Sequence, residues 1–255
     1  MKYLALLLLA GTFLSDPNSN AQTAKSASMK PTIIFVHGLW ADGSCWNKVI
    51  PLLLEQGFNV VSVQNPTTSL EDDVAATKRA IKLAGGDVIL VGHSWGGFVI
   101  TQAGDDPRVK ALVYVAAYAP DQGETVPSVS EKAPDTQLTN FLQTTDGFVT
   151  LSKEGVTKAF ANDLPADEQN MIFSVQQPTS PNVFKGVITH VAWKQEPSWY
   201  IVAADDHTIN PDLERLMAER AKAKTTVVKS PHVAMLAQPK EVLAVILDAV
   251  KTVSK

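Results

Sequence analysis

The stretch Val88-Ile89-Leu90-Val91-Gly92-His93-Ser94-Trp95-Gly96-Gly97 decides the fold. Its first four residues are a continuous aliphatic run, as expected of a strand buried on both faces. The run leads straight into G-x-S-x-G, and a helix-like segment, Phe98 to Asp106 (FVITQAGDD), follows. Strand, tight turn and helix in that order form the setting of a nucleophile elbow. The turn forces the central serine into a strained backbone conformation. Side chains two residues to either side would collide, so glycines are expected at Gly92 and Gly96. Ser94 is therefore the candidate nucleophile, lifted clear of the carboxyl edge of a sheet.

Working outward, further short apolar runs read as strands: Thr32–Val36, Asn59–Val63, Ala111–Ala116, Trp199–Ala203 and Thr225–Val228. Helical patterns lie between them. Ser69 followed three residues later by Asp72 is a capping signal, and Leu70, Val74, Thr77, Ile81 and Ala84 recur at helical spacing. Pro239 opens a second helix, with Val242, Leu243, Ile246, Leu247 and Val250 on one face. Alternation of this kind predicts an α/β domain with a doubly wound, mostly parallel sheet of six strands and right-handed crossovers. Residues 120–197 break the alternation. Seven prolines fall in them, and they read as an inserted cap of mixed helix and loop. Their aromatic members Phe141, Phe148, Phe160 and Phe173 are expected, with Trp40, to line a substrate pocket.

Composition narrows the function. With 45% hydrophobic and 19% charged residues, the chain is an ordinary globular one, which excludes disorder and fibrous folds. Lys and Arg number 22 against 26 Asp and Glu, with no basic run longer than two, so a nucleic-acid partner is not expected. A single cysteine, Cys45, excludes an internal disulfide and a multi-cysteine metal site. Lys2 and the apolar run Tyr3–Leu14, followed by Ser19-Asn20-Ala21, read as a signal peptide cleaved near Ala21. The run is shorter than the ~20 residues a membrane helix needs. The expectation is export to the periplasm or medium, a mature domain over 22–255, and no membrane span in it.

A serine hydroxyl needs a base. Of the five histidines, His93 sits inside the elbow and is expected to point away from the serine, while His37 more naturally shapes its loop. His190 lies in the insertion, and His207 follows an acidic pair. His232 follows the last strand at the same sheet edge as Ser94 and is the expected base. The acid that orients it is expected where Trp199–Ala203 ends, giving the chain order serine, acid, histidine. Asp205 and Asp206 compete there, and Asp121 is a third choice. Backbone register alone does not choose among them. Oxyanion donors are expected from the backbone N–H of Trp95 and of Leu39, where Gly38 allows a sharp turn. Asp42 reads as a helix cap. Cys45 makes a poor nucleophile, because no histidine is placed for it.

At these residues a resemblance is plain. Phe35–Trp46, Val91–Gly97, Tyr114–Glu124, Trp199–Ile209 and Ser230–Pro239 resemble the α/β-hydrolase superfamily. Its small-esterase branch holds plant methyl-ester esterases, hydroxynitrile lyases and bacterial carboxylesterases. The resemblance implies the fold described above, no metal and no organic cofactor. It also implies Ser94, Asp206 and His232 as catalytic residues, Leu39 and Trp95 as oxyanion donors, and a small or medium apolar ester as substrate. Hydroxynitrile-lyase relatives carry a lysine after the base and a threonine after the first-loop histidine. This chain has Val233 and Gly38 at those positions, which argues against cyanohydrin cleavage. A non-catalytic ligand binder on the same fold is the third reading, and the apparent triad counts against it.

Overall fold

The computed structural model describes residues 30–254. The proposed signal peptide lies outside them. Six strands form one parallel sheet: β1 (Thr32–Val36), β2 (Val60–Val63), β3 (Val88–Ser94), β4 (Val109–Ala117), β7 (Ser198–Ala203) and β8 (Lys224–Val228). A separate antiparallel hairpin is made by β5 (Leu142–Thr145) and β6 (Phe148–Leu151). The strand order in the large sheet is β2-β1-β3-β4-β7-β8, and every pairing in it is parallel.

This order explains where a site forms. The chain passes from β1 to β2 on one side, then crosses back to place β3 on the other side of β1. The direction of winding therefore reverses between β1 and β3. At such a point the connections leaving the carboxyl ends diverge and open a crevice. Both the elbow and the loop after β1 leave the sheet there.

The expected strands are all present, though not all are covered on both faces. β1 and β3 are buried throughout, whereas the edge strands β2 and β8 are only partly buried. Lys224 begins β8, and a charged edge of that kind discourages pairing with another chain. The capping signal at Ser69 is realised: its Oγ accepts the Asp72 N–H at 3.1 Å and starts the helix Leu70–Ala84. Caps of this type contribute about 1 kcal/mol. Pro239 is the first residue of the helix Pro239–Val253, whose buried Val242, Val245, Ile246 and Ala249 pack on the sheet.

The hairpin in the insertion was not expected from the pattern of prolines. Its signal is Asp146-Gly147, with φ of 49° and 77°. Both central residues lie in the left-handed region, as a two-residue hairpin turn requires. Among the described residues no helix is long and apolar enough to cross a membrane.

Candidate active site

Ser94 ends β3 with φ of 54°, a strained conformation for a non-glycine residue. Crowding around the turn fixes the glycines. A Cβ on Gly92 would lie 2.7 Å from the Gly96 carbonyl oxygen, and one on Gly96 would lie 2.3 Å from that of Val36. Gly97 is equally constrained, at 1.9 Å from the Tyr118 oxygen. Gly38 serves a purpose other than the sharp turn expected of it. A Cβ there would sit 2.6 Å from the Ser94 Cβ, so the glycine lets the β1 loop close against the serine. The positive φ in that loop belongs to Trp40, at 55°.

His232 and Asp206 are both buried, and His232 Nδ1 donates to Asp206 Oδ2 at 2.6 Å. A carboxylate only accepts, so the imidazole proton sits on Nδ1. That leaves Nε2 as the proton acceptor, and it has no hydrogen-bond partner among the described residues. Asp206 Oδ1 accepts the N–H groups of Thr208 at 2.6 Å and Ile209 at 2.9 Å. This is the bond an aspartate makes to backbone two residues on, and it fixes the carboxylate locally. Asp205 is half-buried, and its backbone N–H goes to the Ser230 carbonyl. Asp121 is paired with Lys194. The structure thus brings Asp206 alone of the three to His232.

Two other histidines brace these groups. His37 is buried, and its Nε2 accepts the Asn65 N–H at 2.9 Å. Its proton is therefore on Nδ1 and goes to the Gly38 carbonyl at 2.8 Å, which shapes the loop. Burial lowers its pKa. His93 turns beneath the elbow towards the base, with Nε2 3.0 Å from the His232 carbonyl oxygen. Burial, reinforced by His232, holds His93 well below the usual histidine range, so it is neutral. The backbone N–H groups of Leu39 and Trp95 make no hydrogen bond within the described residues.

Asp73 is a contributor the sequence did not suggest. Buried on the helix Leu70–Ala84, it accepts the Trp95 indole N–H at 2.8 Å and the Thr67 N–H at 2.8 Å. It ties the residue after the nucleophile to the loop between β2 and that helix, where Thr67 has φ of 53°. Burial pushes its carboxyl up to about 6. An Asp four residues past the helix cap Ser69 is the only signal for it, and helix periodicity alone hides it.

Ser94 opens into a cleft of about 840 Å³, part of it continuous with solvent. Trp40, Tyr118, Leu138, Leu142, Phe184 and Leu213 form much of the wall. Among the described residues no Lys or Arg lines it, and Asp135 is the one carboxylate there. The insertion does roof the cleft, but through other residues than the four phenylalanines. Phe148 and Phe173 are exposed, because the hairpin and the helix Ala166–Val175 turn them outward. Phe141 faces a separate polar recess beside His207. Phe160 is buried with its ring 5.1 Å from that of His232, and it lines a second cavity on the other side of Trp40. Of the expected pocket residues only Trp40 stands in the Ser94 cleft. Its indole is tied to the hairpin by a bond to the Val149 carbonyl at 3.2 Å.

Cys45 is buried, and burial and the Asp42 charge push its thiol up, which leaves it un-ionised and unreactive. Asp42 caps Gly43–Trp46, accepting the Ser44 N–H at 2.9 Å. Among the described residues no three His, Cys, Asp or Glu side chains converge on a point that would hold a metal ion.

Comparison with known proteins agrees with this fold. The profile described as the alpha/beta hydrolase family matches residues 33–245, and the chain belongs to that family. A carbendazim hydrolyzing esterase from Nocardioides sp. (strain SG-4G) is 33% identical over 39% of this chain and 47% of its own length. Methylesterase 18 of Arabidopsis thaliana is 26% identical over 87% of this chain and 97% of that protein. The crystal structure of polyneuridine aldehyde esterase superposes with a TM-score of 0.75 at 20% identity, covering 86% of this chain and 99% of that one.

Proposed function

We propose that this chain, an ester-hydrolysing α/β-hydrolase, works through an acyl-enzyme on Ser94. The observation that carries the reading is the buried His232, with Nδ1 on Asp206 and Nε2 free, at the sheet edge where the strained Ser94 opens into an apolar cleft. Ser94 attacks the ester carbonyl while His232 Nε2 takes its proton. The N–H groups of Leu39 and Trp95 receive the developing oxyanion. Asp206 stabilises the imidazolium, which then protonates the leaving alcohol. Water activated by the same nitrogen releases the acid and restores the serine. A fluorophosphonate should label Ser94 stoichiometrically in the folded protein. Folded protein that stays unlabelled would favour a ligand-binding role.

The substrate is a small or medium ester with an uncharged, apolar acyl group. Its basis is the apolar wall and the absence of any cationic side chain on it. Leu138→Ala should change the relative kcat/KM of acyl groups of different length rather than lower all of them alike. One methylene in such a pocket is worth about 1–3 kcal/mol. The check is a series of p-nitrophenyl esters of rising chain length, with an acyl group ending in a carboxylate as the disfavoured member. Uniform losses across the series would remove Leu138 from the pocket. The apolar run Tyr3–Leu14 and the small residues Ser19 and Ala21 that follow it support export with cleavage near Ala21. The N-terminal sequence of secreted protein tests that.

A further inference from the structure

A second carboxyl lies behind Asp206. Glu214, in the helix Pro211–Arg220, is 0% exposed. Its Oε2 accepts the N–H of Ala203, the last residue of β7, at 3.0 Å. The N–H of Asp206 reaches the carbonyl of the same Ala203 at 3.3 Å. The Glu214 carboxyl is thus held on the residue whose carbonyl the Asp206 N–H reaches, and the two buried side chains lie against each other. Glu214 Oε1 receives no N–H or O–H from any described residue.

Two carboxyls in contact away from water cannot both be ionised, so a proton lies between them. The surroundings decide which of them carries it. Asp206 receives two backbone N–H groups and an imidazole N–H, all of which favour the charged form. Glu214 receives one backbone N–H, and burial together with the Asp206 charge raises its pKa. The other ionisable groups around the pair do not alter this. Tyr118, just beyond β4, and Tyr200 of β7 are both held neutral by burial. Arg215, on the helix that carries Glu214, acts in the opposite direction but does not outweigh burial. A helix that only needed its buried face filled would be served at lower cost by leucine, since a buried carboxyl with one bare oxygen is expensive.

We propose that Glu214 is a positioning residue for the serine mechanism: its carboxylic acid hydroxyl donates a hydrogen bond to the Asp206 carboxylate and holds it for His232. The inference rests on the acyl-enzyme reading given above. Donation to Asp206 also tempers its basicity, and so limits how tightly it holds the imidazolium.

The test compares Glu214→Gln with Glu214→Leu. Glutamine keeps the shape, an acceptor for Ala203 and an N–H donor for Asp206. Its kcat/KM should stay within about threefold of the wild type, with an unchanged acid limb in the pH profile. Leucine removes the donor. Its kcat should fall about tenfold, the loss expected for one hydrogen bond to a charged group, with KM little altered. Its acid limb should also move up by about one pH unit, because an untempered Asp206 holds the imidazolium proton more firmly. A purely structural residue would leave the acid limb in place and cost both variants alike. An unchanged limb in folded Glu214→Leu, or a glutamine variant as impaired as the leucine one, overturns the proposal. Should the leucine variant not fold, difference infrared spectroscopy decides. The wild type should show a protonated-carboxyl band at neutral pH that Glu214→Gln lacks, and its absence from the wild type refutes the assignment. That readout does not depend on turnover, so it separates failure of this inference from failure of the acyl-enzyme reading, which loss of fluorophosphonate labelling at Ser94 would expose.

Discussion

Ser94→Ala should lower kcat for an activated ester by about 10⁴-fold or more while leaving the fold intact. The size of the loss follows from the way the site works. The hydroxyl is the atom that forms the covalent bond, and alanine offers nothing in its place. What survives is binding in the cleft and donation from Leu39 and Trp95 to the carbonyl oxygen, which act on a water nucleophile only weakly. The fold should survive because the strain at Ser94, φ of 54°, is imposed by β3, the helix Gly96–Ala103 and the close approach of Gly38, not by the hydroxyl. His232→Ala should cost about as much, and the double variant hardly more than either alone, since nucleophile and base act as a unit. Turnover of a p-nitrophenyl ester, with circular dichroism as the fold control, measures all three. Losses that multiply in the double variant would mean that Ser94 and His232 act in separate steps.

The placement of Ser94 and His232 at one sheet edge was legible in the sequence because each lies at or just past the carboxyl end of a strand. Val88–Val91 and Thr225–Val228 announce strands, and a residue just past the carboxyl end of a parallel strand has few places to go. The elbow is more strongly determined still, since the collisions are with backbone: at Gly92 with the Gly96 carbonyl inside the turn, and at Gly96 with the Val36 carbonyl of β1 alongside. The cleft wall was less legible. Phe148 and Phe173 are as apolar as Leu138 and Leu142, and composition cannot say which of them faces inward. The Asp146-Gly147 turn settles it by folding Leu142–Leu151 into a hairpin that presents Leu142 to the cleft and Phe148 to solvent. Asp73 and Glu214 were hidden for a different reason. Both interrupt the buried stripe of an otherwise ordinary amphipathic helix, and their partners, the Trp95 indole and Asp206, lie outside those helices. Polar pairing between elements leaves no periodic trace.

The acid shows the same division between local and distant signals. Asp206→Asn should lower kcat by up to about 10⁴-fold, and Asp205→Asn by far less. Asparagine is nearly isosteric, and its oxygen can still accept the Thr208 and Ile209 N–H groups that orient the turn. If it does, its amide nitrogen faces His232 Nδ1, and a donor there forces the imidazole proton onto Nε2. The nitrogen that should receive the Ser94 proton is then already occupied. If the amide flips instead, two backbone donors lose their acceptor and the turn loosens. Either way the imidazolium loses its counter-charge. Asp205 has no comparable link, since it is half-buried and meets the strand of His232 only through its backbone N–H on Ser230. The kcat of each variant on one ester, measured beside its melting temperature, distinguishes them. A large loss from Asp205→Asn alone would reverse the assignment. Equal modest losses from both would move the acid to Asp121, against the ion pair that now holds that carboxylate on Lys194.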